Sequence, residues 1–135
     1  MFRCEHFKIQ ELVSPDVFND RGMAAWELLD ERALITLDAL REEFGPCTVN
    51  DWCWGGKYKY SGFRESDCGV GAVYSQHKYG RAFDCKFRDT DAETVRQVVL
   101  RCRNEMFPHI SGIELNVSWF HFDVRNHTPL KVFTP

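Results

Sequence analysis

Between Met23 and Phe44 the apolar residues Trp26, Leu29, Ala33, Leu37, Leu40 and Phe44 recur at three- and four-residue steps, which places them on one face of a helix. Gly45-Pro46 then stops that helix, as glycine and proline do just past a helix end. A second helix is predicted to open at Thr90-Asp91-Ala92-Glu93, which has capping-box spacing. It carries Val95, Val98, Val99, Cys102 and Met106 on one side until Pro108 ends it. Cys47 to Asn50 reads as a short strand, and Asp51 to Tyr79, rich in glycine and aromatic residues, reads as loops.

Two further segments alternate with period two. In Ala82-Phe83-Asp84-Cys85-Lys86-Phe87, the residues Phe83, Cys85 and Phe87 share one face and Asp84 points the other way. In Trp119-Phe120-His121-Phe122-Asp123-Val124-Arg125, the face holding Phe120, Phe122 and Val124 is opposed by one holding His121, Asp123 and Arg125. Each strand offers an apolar side to a core and a titratable side to something else. The expected fold class is α+β: a single domain over residues 1–135, with a small antiparallel sheet, helices packed on its apolar face and the chemistry on the other.

Composition narrows the function classes. The 135 residues are 44% apolar and 27% charged, which suits one globular domain and excludes a disordered tail, a fibre or a coiled coil. No apolar run is long enough to span a bilayer, so no membrane insertion is expected. A net charge of −3 with intermixed signs gives no electrostatic case for nucleic acid. Met1-Phe2-Arg3-Cys4-Glu5-His6 lacks a basic start followed by an apolar stretch, so the chain is expected to be cytoplasmic at synthesis. Any export would then need a route that uses no signal. Cys4, Cys47, Cys53, Cys68, Cys85 and Cys102 contain no Cys-x-x-Cys pair and are expected to be reduced thiols, with Cys85 and Cys102 serving as small hydrophobes. A monomer is expected.

The chemistry concentrates in Ser75-Gln76-His77-Lys78-Tyr79-Gly80-Arg81-Ala82-Phe83-Asp84. With His121 it supplies two imidazoles and one carboxylate, the donor set of a catalytic zinc that keeps its fourth position for water. Gly80 would allow the tight turn that brings His77 and Asp84 to one point. Any one of these histidines taken alone is more often a partly buried imidazole hydrogen-bonded to backbone than a metal ligand.

Ser-x-His-x-x-Gly-x-Ala-x-Asp, running from Ser75 to Asp84, resembles the motif of the zinc D-alanyl-D-alanine carboxypeptidases, which share a fold with the phage L-alanyl-D-glutamate endopeptidases and the vancomycin-resistance D,D-dipeptidases. Ser61-Gly62-Phe63-Arg64 is similar to their Ser-Gly-(aromatic)-Arg element. The Trp119–Arg125 segment resembles the strand bearing their last zinc ligand, closest to a phage-associated branch ending in His-x-Asp-x-Arg. The resemblance runs from about Phe7 to Arg125. It implies one zinc per chain held by His77, Asp84 and His121, and a peptidoglycan stem peptide as substrate. It also implies that Arg64 binds a substrate carboxylate or the developing oxyanion, and that Ser75 helps hold the peptide. A hydroxyl capping the turn before His77 is the other reading of Ser75.

The chain departs from that pattern at the general base. Better-known members carry an acidic residue three positions before the last histidine, and here that position is Ser118. Glu114, Asp123 and His127 are the nearby alternatives. Glu114 lies on a short Ile113-Glu114-Leu115 strand, opposed to two apolar neighbours, and is the first choice. Asp123 shares a strand face with His121 but lies about 6.6 Å along it, which suits a partner to a ligand at least as well as a base. The expected function is therefore a zinc peptidase that hydrolyses stem peptides, as a carboxypeptidase or an endopeptidase. The main alternative is a zinc-bearing binding or structural module of the same fold without hydrolysis. A non-haem iron triad built on His121, Asp123 and His127 leaves His77 and Asp84 idle and is rejected. A metal-free structural protein is the remaining rival.

Overall fold

The computed structural model describes residues 2–135; Met1, the start of the N-terminal segment discussed above, lies outside them. Helix α1 (Pro15–Arg21) begins with Ser14 accepting the Val17 amide and with proline at its first position, where the missing N–H costs nothing. Helix α2 spans Glu31–Phe44 and α3 spans Ala92–Met106. The strands are β1 (Cys47–Thr48), β2 (Ala82–Phe87), β3 (Gly112–Glu114), β4 (Phe120–Asp123) and β5 (Lys131–Phe133). They form one sheet in the order β1-β2-β4-β3-β5.

The alternation read from the sequence sets the two faces of that sheet. Phe83, Cys85, Phe120, Phe122 and Val124 are fully buried on one face and belong to a core shared with Leu34, Leu37, Leu40, Val95 and Val99 of α2 and α3. Burying a side chain of phenylalanine or leucine size stabilises the fold by about 1.5–3 kcal/mol, so this layer fixes the register of β2 against β4. In that register Phe83 faces Phe122 and Asp84 faces His121. A slip of one residue would put both phenylalanines on the outer face of the sheet and both titratable groups in the core. The fold class is α+β, with helices on the apolar face.

Several element boundaries differ from the sequence reading. The long helix over Met23–Phe44 is interrupted: Gly22–Leu28 winds as a 3₁₀ segment, Leu29 is extended and Asp30 caps α2. The Asp30 amide donates to the Gly80 carbonyl at 2.9 Å and so leaves the helical ladder, while its carboxylate accepts the Arg32 amide. Trp26 and Leu29 stay buried in the core regardless of the break. At α3 the cap is Asp91 rather than Thr90, so Glu93 turns outward to pair with Arg96 and Gln97. Met106 is exposed, Cys102 is half-buried and Cys85 is fully buried. The first strand ends at Thr48, and the strand containing Glu114 starts at Gly112 and stops before Leu115.

The sheet is mixed, not wholly antiparallel. Lys131–Phe133, a segment the alternation pattern does not mark as a strand, pairs parallel with β3 and places Phe133 beside Glu114. Among the described residues no helix is long and apolar enough to cross a membrane.

Candidate metal centre

Gly80 makes the turn that joins the two halves of the motif. Its φ is +68°, and a Cβ there would lie 1.9 Å from the Leu28 carbonyl oxygen, so both its conformation and its surroundings demand glycine. The 3₁₀ turn before it, Gln76–Tyr79, holds His77, with Ser75 Oγ accepting the His77 amide. Ser75 therefore caps this turn, and it also lines the cavity described below. Asp84 follows on β2, directly across from His121 on β4.

The three side chains converge. Asp84 Oδ1 is 2.9 Å from His121 Nδ1 and 3.3 Å from His77 Nε2, and one ligand atom from each residue lies within 4.8 Å of the others. A small divalent ion bound tetrahedrally at about 2.0–2.2 Å separates neighbouring donors by about 3.3–3.5 Å. One spacing fits this value, and the other is a few tenths shorter, as expected where a proton bridges the pair. The donor set therefore fits a metal.

The remaining ring nitrogens are fixed by partners behind the cluster. His77 Nδ1 lies 2.8 Å from the Gly62 carbonyl, which can only accept, so Nε2 is the nitrogen left facing Asp84. His121 Nε2 lies 2.8 Å from Asp123 Oδ2, which leaves Nδ1 on the cluster side. Asp123 is fully buried and also accepts from the Arg125 guanidinium, at 2.6 Å from Nε. A Cβ on Gly112 would fall 2.2 Å from Asp123 Oδ1, so this glycine makes room for the carboxylate.

Electrostatics follow from these contacts. Burial works against charge on Asp84, but His77 and His121 outweigh it and hold the carboxyl well below its usual range. Burial likewise opposes charge on His121; hydrogen bonds to Asp123 and Asp84, and their charges, outweigh it and raise the imidazole to about 9. His77 goes the other way, because desolvation exceeds the pull of Asp84 and favours the neutral ring. Asp123 falls to about 2, with Arg125 and His121 overcoming the cost of burial. Without metal, His121 is thus an imidazolium held between two carboxylates.

A cavity of about 420 Å³ opens onto the cluster, lined by Arg64, Ser75, His77, Asp84, Glu114 and His121, with Trp119 and Phe133 among its walls. Arg64 is held by the Tyr60 carbonyl at 2.7 Å and more loosely, at 3.4 Å, by Val70 O and Asp84 Oδ2. Among the described residues the Glu114 carboxylate makes no ion pair or side-chain hydrogen bond, and its backbone carbonyl accepts from the Arg96 guanidinium. Asp123 does not line this cavity, and Ser118 lines its neighbour. His127 is exposed and bonds the Pro129 carbonyl, away from the cluster.

Three supporting residues went unnoticed in the sequence. Asn50 is fully buried and joins the Val13 carbonyl to the Ser61 amide, which steadies the loop leading to Arg64. Arg96 reaches from α3 to the carbonyls of Glu114, Val117 and Trp119 and so clamps the β3–β4 connection. Lys86 donates to Val49 O and Ser61 Oγ beneath the same loop. The one hint was a charged residue at a helix position flanked by the buried Val95 and Val99. A second group with metal-type side chains, Glu5, His6 and Glu42, is exposed, and such groups commonly hold no ion. Comparison with protein families, curated proteins and solved structures finds no match for this chain.

Proposed function

We propose that the protein is a zinc-dependent peptidase acting on peptidoglycan stem peptides, as a carboxypeptidase or an endopeptidase. The observation that carries the reading is the convergence of His77, Asp84 and His121 at the floor of a cavity that also holds Arg64 and Glu114. Two imidazoles and one carboxylate suit zinc better than the all-oxygen sites of calcium or magnesium. When bound, zinc would acidify water towards neutral pH and polarise a carbonyl.

The chain's own groups would do the rest. His77 Nε2, His121 Nδ1 and Asp84 Oδ1 would hold the ion, with Gly62 O and Asp123 fixing the ring tautomers. Glu114 is the cavity carboxylate free to accept a proton from attacking water. Arg64 has N–H groups to spare for a substrate carboxylate or for charge developing on the carbonyl oxygen. Asp123, saturated by His121 and Arg125, acts as a positioning residue through His121.

One observation favours the non-catalytic zinc module instead: the position where the resembling family carries its base is the neutral Ser118, facing the neighbouring cavity. Incubation of the purified protein with purified peptidoglycan, with and without stoichiometric zinc, decides between the two readings. Released peptide fragments support the peptidase; zinc binding with no fragments supports the module.

A further inference from the structure

Strand β5 meets the metal centre through one side chain. The Phe133 ring lines the same cavity as His77, Asp84 and His121. Its centroid lies 5.5 Å from that of the His121 ring, with the two planes at 80°, and 4.7 Å from the Arg125 guanidinium carbon. The backbone around it is tied to the same group of residues. The Lys131 amide donates to Ser111 O at 2.9 Å, and Phe133 O accepts the Leu115 amide at 2.7 Å. Ser111 Oγ in turn donates to Arg125 O at 2.6 Å.

Each contact does something that the polar bonds cannot. Asp84 and Asp123 hold the two nitrogens of His121 and so fix a line through the ring. They do not oppose a tilt of the imidazole about that line, whereas an aromatic neighbour packed at a steep angle does. His77 packs on the same ring at 5.3 Å and 61°, so the ligand is held by two such neighbours. The Arg125 guanidinium spends its Nε–Nη2 edge on Asp123, and the Phe133 ring covers a face. A cation over an aromatic face is attracted to it and shielded from water, which strengthens its pair with the carboxylate. Phe133 is half-buried and lies outside the hydrophobic core, so the fold does not depend on it in the way it depends on Phe120 or Phe122.

We propose that Phe133 is a positioning residue of the metal centre: its ring sets the tilt of His121 directly and, by way of Arg125 and Asp123, holds the hydrogen bond behind that ligand. Strand β5 is thereby part of the site and not only the edge of the sheet. The assignment rests on the reading of His77, Asp84 and His121 as metal ligands, and it is independent of whether the bound ion hydrolyses peptides.

The test measures the zinc affinity of the full chain by competition with a chelator, beside thermal unfolding of the metal-free protein and fragment release from peptidoglycan. Phe133→Leu keeps an apolar side chain but removes the ring, and should weaken zinc binding by about three- to tenfold. Phe133→Tyr keeps the ring and should stay within about twofold of the wild type. Val132→Ala changes an exposed side chain on the same strand and should leave zinc affinity unchanged. A lower melting temperature with wild-type zinc affinity in Phe133→Leu makes the ring mere packing and overturns the assignment. So does an equal loss of affinity in Phe133→Tyr or Val132→Ala, because the cause is then not the ring. A wild type that binds no zinc removes the metal centre and this role together. The expected pattern of affinities without fragment release supports the role and removes only the peptidase; fragment release with affinity unaltered in Phe133→Leu does the reverse.

Discussion

Asp123 and Glu114 are both carboxylates near the cluster, but their surroundings give them different chemistry. Asp123 is fully buried and saturated by His121 and Arg125, whereas Glu114 lines the cavity with its carboxylate unpaired. Asp123→Asn is therefore expected to act through the metal, weakening zinc affinity by about 10- to 100-fold in a competitive chelator titration. Glu114→Gln should leave zinc content unchanged and lower kcat by about 100- to 10,000-fold. If Asp123→Asn instead abolishes turnover at full zinc occupancy, the two roles are exchanged. His77, Asp84 and His121 were legible in the sequence because motif spacing and strand alternation are local patterns. Asn50 and Arg96 were not, because their carbonyl partners lie 18 or more residues away in sequence, and spacing does not record such contacts.

At the scale of elements, the break before α2 and the turn at Gly80 are one feature. The Asp30 amide leaves the helical ladder for the Gly80 carbonyl, which ties the start of α2 to the loop delivering His77. Gly80→Ala should destabilise the fold by about 2 kcal/mol or more and weaken metal binding as well, since the added Cβ must displace the Leu28 carbonyl. Asp30→Ala removes the cap together with the half-exposed ion pairs to Arg32 and Arg81 and should cost about 1–2 kcal/mol in denaturant unfolding. Equal losses from the two substitutions would show that the turn carries no special strain. Periodicity detected α2 and the apolar stripe that continues through Trp26, but it could not register a hydrogen bond from Asp30 to a residue fifty positions on. The same limit hid β5, whose three residues pair in parallel with a strand well upstream.

For the whole molecule, the protonation of the cluster sets how stability depends on pH. His121 is raised to about 9, so its contribution is fully present below its unfolded value of about 6.5 and is lost as pH rises towards 9. His77 is lowered, so its contribution is present above about 6.5 and is lost as pH falls below it. Asp84 and Asp123 are both depressed, and their contributions fade only below about pH 4. The metal-free protein should thus show its highest melting temperature near pH 6.5 and a decline towards pH 9. Calorimetry should find that decline absent with stoichiometric zinc, because the ion takes the place of the His121 proton. A decline of equal size with zinc present would mean that the ion binds elsewhere. Zinc-dependent hydrolysis at this cluster is tested most directly by the release of peptide fragments from purified peptidoglycan by the wild type at one zinc per chain, beside the zinc-stripped protein and Glu114→Gln at matched zinc. Fragments are expected from the zinc-loaded wild type, none from the stripped protein, and release slowed by at least about a hundredfold in Glu114→Gln. Fragments released equally by the stripped protein, or none from a fully zinc-loaded wild type, would contradict zinc-dependent hydrolysis.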